Sequence, residues 1–373
     1  MQGKKTDMEN TGKLGFGLMR LPKKALGIDV EQTKKMVDLF MDAGFTYFDT
    51  AHVYPGSEDA IGKALVERYP RDSYTLATKL FARAALNEKM AKKQFYTSLE
   101  RTKAQYIDYY LLHTLMSSNY KLYEKFHLWD FVNELKKEGL VKHIGFSFHD
   151  GPELLEELLK KHPEVEFVQL QINYADWENE KVTSRANYEI ARKYGKYITV
   201  MEPVKGGALA KPDKQIEKLF KDYAPERSCA SWAIRFVASL DGILTVLSGM
   251  SNVAQMEDNL SYMKDFKPLN EEERTIIRKA QEILGRSKAI PCTACSYCTA
   301  GCPKQIVIPE VFAAMNKRLA DGKIEESKKD YQALLAKGCD PTACIGCGQC
   351  ESVCPQHIDI IDKLKMCAQT LSE

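Results

Sequence analysis

The chain has 373 residues, with 53 lysines and arginines against 51 aspartates and glutamates, and a formal net charge of +2. So even a balance leaves no electrostatic footprint for nucleic acid or an anionic membrane. The length exceeds one ordinary core and suits two unequal domains. The hydrophobic content of 44% is that of a soluble globular protein. The opening MQGKKTDMEN has no apolar run, so no secretory leader is expected, and no later stretch reaches the length of a membrane span.

From about residue 14 to 285, short apolar strands alternate with amphipathic helices. Strands are predicted at LGFGLM (14–19), FTYFDT (45–50), YTLATKL (74–80) and IDYYLLH (107–113). Four more follow at VKHIGFSFH (141–149), FVQLQIN (167–173), YITVMEP (197–203) and ILTVLSG (243–249). In the first helix Val30, Met36, Val37, Phe40 and Met41 form an apolar stripe. SEDAIGKALVERY opens with Ser57 as its expected cap, and KLYEKFHLWDFVNELKKEG reads as one helix stopped by Gly139. Eight strand–helix units over this length predict a parallel (β/α)8, or TIM, barrel. An open doubly wound sheet is the alternative. It usually announces itself by a glycine-rich first turn, whereas here Gly15 and Gly17 fall inside strand one. The charge run EEERTIIRK, on a last helix from about Glu271, reads as a solvated face.

In such a barrel the chemistry sits at the C-terminal strand ends. Strand two ends in Asp49, with Tyr54 close behind; strand three ends near Lys79, and strand four in His113. A tyrosine with an ordinary pKa near ~10 is a poor acid at neutral pH. A nearby ammonium lowers that pKa, and a carboxylate holds the ammonium in position. A neutral histidine orients a substrate carbonyl by hydrogen bonding. Each residue alone is ordinary, but four on successive strands suit protonation of a carbonyl oxygen as hydride reaches its carbon.

All eleven cysteines except Cys229 lie beyond residue 290. Cys292, Cys295, Cys298 and Cys302 repeat the pattern of Cys344, Cys347, Cys350 and Cys354, each C-x-x-C-x-x-C-x-x-x-C-P. That spacing holds cubane iron–sulfur clusters, with the fourth cysteine reaching the other cluster. The expected ligand sets are Cys292, Cys295 and Cys298 with Cys354, and Cys344, Cys347 and Cys350 with Cys302. Zinc is the alternative; the third short-spaced cysteine and the prolines Pro303 and Pro355 have no use in a zinc ribbon. About forty residues, including the helical IPEVFAAMNKRLADG, separate the motifs, which predicts a small, mainly α-helical ferredoxin-type domain. Reduced thiols and clusters imply a cytoplasmic setting. Cys229 is expected in the core, and Cys339 and Cys367 as free thiols near the clusters.

The order FDTAHVYPGSEDAIGKAL, then ATKL, then IDYYLLH, resembles the aldo/keto reductases. The resemblance covers essentially the whole barrel and, with the cysteine domain, is similar to their iron–sulfur branch. It implies domains at 1–285 and 286–373, and a catalytic tetrad of Asp49, Tyr54, Lys79 and His113 with Tyr54 as general acid/base. It implies NAD(P), bound without a Rossmann fingerprint by Gly17, Met19, Ser147, Gln169, Met201, Gly249, Gln255, Asp258 and Asn259. VKGGALA would contribute to the pyrophosphate region. The chain departs from the family in carrying Phe148 after Ser147, Met201 in place of a stacking aromatic, and no basic residue after strand eight. Arg20 or Lys205 is the stand-in cation for a 2′-phosphate.

The implied substrate is a small carbonyl or alcohol. Nicotinamide moves two electrons as hydride and a cubane moves one, while no flavin motif is present to mediate. Three readings remain open: a carbonyl reductase exchanging electrons with an external partner, an electron-transfer protein whose barrel binds a nucleotide or partner, or clusters that are purely structural.

Overall fold

A computed structural model describes Met8 and residues 12–320 and 322–372. Most of the opening stretch therefore lies outside the described residues, as does Asp321 in the predicted helix after the first cysteine motif. By contact the chain divides into two units. One holds the chain up to Asn179, Thr183–Val204 and Ala230–Arg274; the other holds Glu180–Val182, Lys205–Cys229 and the chain from Thr275 on. The boundary expected at 285/286 falls inside the second unit.

Among the described residues the first unit contains ten strands: β1 (Leu14–Gly17), β2 (Lys23–Lys24), β3 (Gly27–Ile28), β4 (Tyr47–Asp49), β5 (Thr75–Leu80), β6 (Ile107–Leu115), β7 (Val141–Phe148), β8 (Phe167–Gln171), β9 (Tyr197–Met201) and β10 (Ile243–Ser248). β2 and β3 form a small antiparallel hairpin. The other eight close in the order β1-β10-β9-β8-β7-β6-β5-β4, every pair parallel. This is the predicted (β/α)8 barrel, and closure excludes the open sheet. Gly15 sits in a crowded position inside it, where a Cβ would lie 2.8 Å from a Leu247 methyl and 3.3 Å from the Tyr47 ring.

Helices cover the outside through the predicted stripes. Val30–Asp42 buries Met36, Val37 and Phe40, and the Phe40 ring lies 5.9 Å from Phe16 and 5.2 Å from Phe48. Three local expectations fail. The 120–137 region is two helices, Tyr120–Lys125 and Leu128–Lys137, broken where His127 takes a left-handed φ of 48°. Ser57 is no cap: its hydroxyl donates inward to the Leu18 carbonyl at 3.0 Å and meets Thr50 Oγ1 at 2.7 Å. Glu273, in the charged run, is buried and grips Arg235 with both oxygens at 2.7 and 3.0 Å.

The second unit is helical in its C-terminal part. Helices Ile308–Leu319, Ile324–Ala336 and Ile360–Ser372 pack around Val311, Phe312, Tyr331, Leu334 and Leu364. Cys298, Cys350 and Cys354 belong to the same core. Among the described residues no helix is long and apolar enough to cross a membrane.

Candidate functional site

Strand alternation brings the polar residues of the barrel together. Tyr47, Ala77, Leu111, Phe167 and Leu247, from five strands, share one buried cluster. Side chains from so many strands meet only inside the barrel. Because strand side chains alternate faces, Asp49, Lys79, His113 and Gln169, two positions further on, point the same way one layer nearer the C-terminal ends. His113 does not end its strand as predicted: β6 runs on to Leu115, with the register against β7 shifting between Leu112 and Leu115 and Thr114 at φ 58°.

Lys79 is fully buried and donates to Asp49 Oδ1 at 2.5 Å and to the Thr50 carbonyl at 2.6 Å. Its Nζ lies 5.4 Å from the centre of the half-buried Tyr54 ring. That ring meets the His113 ring edge-on, centres 5.7 Å apart, and Phe81 meets the same imidazole at 5.6 Å. The Tyr123 hydroxyl donates to the His113 carbonyl, anchoring the strand there. Burial pushes the Asp49 carboxyl up and the Lys79 ammonium down, while their attraction opposes both shifts. Burial, then the Lys79 and His149 charges, drives His113 well below its ordinary value, so its ring is neutral.

The residues expected around a nicotinamide carboxamide adjoin this group. Ser147 Oγ accepts from the Thr114 N–H at 2.6 Å and keeps its own proton to donate. The Gln169 amide reaches Asp49, and its buried Oε1 has no partner. A free acceptor and a hydroxyl donor suit an amide ligand. Gly17 stands beside Asp49 in register and leads to Met19 in the turn Leu18–Arg20, while Met201 ends β9 beside Gln171.

Gly249, Gln255, Asp258 and Asn259 gather after β10. Asn252 caps the helix Val253–Met263 by accepting from the Gln255 N–H at 2.9 Å, and Gln255 Oε1 accepts from the Ser251 N–H at 2.7 Å. Asn259 is buried with its Oδ1 unpartnered. Arg20 carbons would lie 4.0 Å from a Cβ on Gly249, so a guanidinium stands at this end; it pairs with Glu202 at 3.7 Å.

The eight motif cysteines line two cavities. Cys292, Cys295, Cys298 and Cys354 line one; Cys302, Cys344, Cys347 and Cys350 line the other. Each quartet takes its fourth cysteine from the other motif. Among the described residues no three Cys, His, Asp or Glu side chains converge on a single-ion position. Zinc sulfurs would sit about 2.3 Å from one metal; thiolates spread around a cavity fit a group with four separate irons. Outside the quartets, Cys339 Sγ accepts from the Val307 N–H at 3.3 Å. Burial pushes the Cys367 thiol up to about 12.

Sequence reasoning missed Phe81 and Tyr123 beside His113, although Phe81 directly follows the strand that carries Lys79. It also missed the surroundings of Lys205 and Gly206. Lys205 donates to Gln356 Oε1 at 3.2 Å, and the Gly206 backbone lies against Thr293. Trp177 packs against Tyr188 and Phe236, with ring centres 5.5 and 5.7 Å away.

A parallel barrel with this polar layer, followed in the chain by two cysteine-lined cavities, defines an oxidoreductase. Residues 13–282 match the aldo/keto reductase family and residues 291–358 match a 4Fe-4S dicluster domain. The chain belongs to the aldo/keto reductase family and carries a C-terminal 4Fe-4S dicluster domain. It is 26% identical over 289 residues to an uncharacterized oxidoreductase of Schizosaccharomyces pombe, covering 72% of this chain and 89% of that one. It is 28% identical to a D-galacturonate reductase of Fragaria ananassa over 53% of this chain and 64% of that one. An aldo-keto reductase of Bacillus halodurans, solved in a holo form, superposes with a TM-score of 0.58 at 25% identity, covering 72% and 91%. One from Klebsiella pneumoniae, solved with NADP and acetate, shares the fold with a TM-score of 0.59 at 19% identity, covering 72% and 90%.

Proposed function

We propose that the chain is an NAD(P)-dependent carbonyl reductase or alcohol dehydrogenase, with Tyr54 as general acid/base and two 4Fe-4S clusters as its port to an external electron partner. The carrying observation is the Lys79 ammonium, fixed by Asp49 and facing Tyr54, with a neutral His113 at the Tyr54 ring edge. In reduction, Tyr54 gives its phenolic proton to the carbonyl oxygen and Lys79 stabilises the phenolate. His113 hydrogen-bonds the same oxygen and orients it; in the reverse direction Tyr54 takes the alcohol proton back. The nicotinamide supplies or accepts the hydride. Ser147 and Gln169 hold its carboxamide, Gly17, Met19 and Met201 line its path, and Gly249, Gln255, Asp258 and Asn259 bind the adenosine end. Arg20 is the cation available to a 2′-phosphate.

Cys292, Cys295, Cys298 and Cys354 ligate one cluster in this reading, and Cys344, Cys347, Cys350 and Cys302 the other. The exposed Cys347 and its exposed neighbour Ile345 make the second cluster the outlet. A structural role for the clusters is the second reading, favoured by the burial of Cys298, Cys350 and Cys354 in the helical core. Tyr54→Phe tests the enzyme reading: NAD(P)H-dependent carbonyl reduction should fall about 10²–10⁴-fold, and undiminished turnover would sink it. Anaerobic bleaching of the cluster absorbance by substrate and cofactor separates a redox role from a structural one.

A further inference from the structure

Of the two cysteine cavities, one has a buried side-chain amide in its lining. Gln356 lines the cavity of Cys292, Cys295, Cys298 and Cys354, and it is 4% exposed. Its Oε1 accepts from Lys205 Nζ at 3.2 Å. A lysine only donates, so this contact decides which end of the amide is oxygen. The Nε2 end is then a buried donor, and it has no partner. Buried amide donors are almost always satisfied. The other cavity has Gln349 in its lining, but that residue is exposed.

The segment that holds Gln356 is itself rigidly placed. Gly206 follows Lys205 at φ 64°, and a Cβ on it would lie 2.5 Å from the Thr293 carbonyl oxygen and 2.8 Å from Thr293 Cα. Only glycine permits this backbone approach. The residue it meets directly follows Cys292, and the residue Lys205 grips is two beyond Cys354. One short loop thus touches both ends of a single cysteine quartet.

We infer that Gln356 Nε2 donates a hydrogen bond to a sulfur of the cluster held by Cys292, Cys295, Cys298 and Cys354, and that Lys205 fixes the amide in that orientation. The inference rests on the ligand sets proposed above. Hydrogen bonds to cluster sulfurs are among the determinants of cluster potential. A donor stabilises the more negative reduced state, so this cluster takes an electron more readily than it would without the amide. The second cluster lacks a buried side-chain amide of this kind among its described lining residues. Gln356 therefore tunes one of the two centres by direct contact, and Lys205 is its positioning residue.

The test is anaerobic redox titration of the full chain followed by EPR, on wild type, Gln356→Met, Gln356→Glu and Lys205→Met. Cys295→Ser, which disturbs one quartet alone, marks which transition belongs to it. Gln356→Glu keeps the size and the Lys205 contact while replacing the amide N–H₂ by oxygen, so it serves if Gln356→Met fails to assemble. Both Gln356 variants should make reduction of the marked cluster roughly tenfold less favourable at fixed potential, about 59 mV for a one-electron couple. The other transition should stay in place. Lys205→Met should move the same transition in the same direction by less. Full iron content with unmoved transitions in the Gln356 variants overturns the inference and leaves the two-cluster reading standing. A wild-type chain that assembles fewer than two cubanes overturns both.

Discussion

Lys79 Nζ lies 2.5 Å from Asp49 Oδ1, and both side chains are buried inside the barrel. The Thr50 carbonyl accepts a second hydrogen bond from the same ammonium, at 2.6 Å. The lysine is thereby stopped at one height in the barrel, where it meets the Tyr54 ring. Asp49 needs Lys79 just as much, because an unpaired carboxylate in that layer would carry a large desolvation cost.

That dependence separates stability from chemistry. Lys79→Met leaves Asp49 buried without its cation and should destabilise the barrel by about 3–5 kcal/mol, read as a lower urea midpoint. Tyr54→Phe removes a hydroxyl from a half-buried position and should shift the midpoint by less than about 1 kcal/mol. Both variants should lose carbonyl reduction. Equal stability losses in the two would contradict the reading of the Asp49–Lys79 pair.

His113 supplies a pH dependence. Its folded pKa is depressed by burial and by the Lys79 and His149 charges, so the folded chain refuses a proton that the unfolded chain accepts below about 6.5. Its contribution to stability is present in full above that pH and declines as the pH falls. The slope is at most about 1.4 kcal/mol per pH unit for this one group. Urea midpoints at pH 7, 6 and 5 should show the decline, and His113→Asn should flatten it.

Cys302 sits in its own motif by sequence but in the other motif's cavity by position. Cys302→Ala should therefore remove or alter the cluster of Cys344, Cys347 and Cys350. Iron content should fall, with the EPR signal of the other cluster retained in part. Selective loss of the cluster of Cys292, Cys295 and Cys298 would reverse the assignment.

Gly206→Ala places a Cβ 2.5 Å from the Thr293 carbonyl oxygen at a left-handed φ. The strain should cost on the order of 1–3 kcal/mol. Because Thr293 neighbours Cys292, the variant should lose iron faster than wild type during anaerobic incubation with a chelator. Gly207→Ala is a useful comparison: it is also left-handed, at φ 100°, but a Cβ there would meet nothing within 4 Å.

Much of this protein is local in origin and so was legible in the chain. Strand alternation and helix stripes specify the barrel through side-chain periodicity, as Met36, Val37 and Phe40 show by burying where their spacing predicts. The cysteine spacing marks the two runs of three, Cys292, Cys295 and Cys298 and Cys344, Cys347 and Cys350, because their grouping is encoded over a few residues. Asp49, Lys79 and His113 stood out because each interrupts an apolar strand. What depended on distant partners was not legible. Glu273 reads as one more acid in a solvated run until Arg235 arrives from 38 positions away. Ser57 reads as a cap until the Leu18 carbonyl and Thr50 claim its hydroxyl. The orientation of the Gln356 amide is of the same kind, since only Lys205, 151 positions earlier, tells its oxygen from its nitrogen. Periodicity and spacing are properties of neighbours along the chain. Desolvation and hydrogen-bond pairing belong to neighbours in space, and only the folded chain decides them.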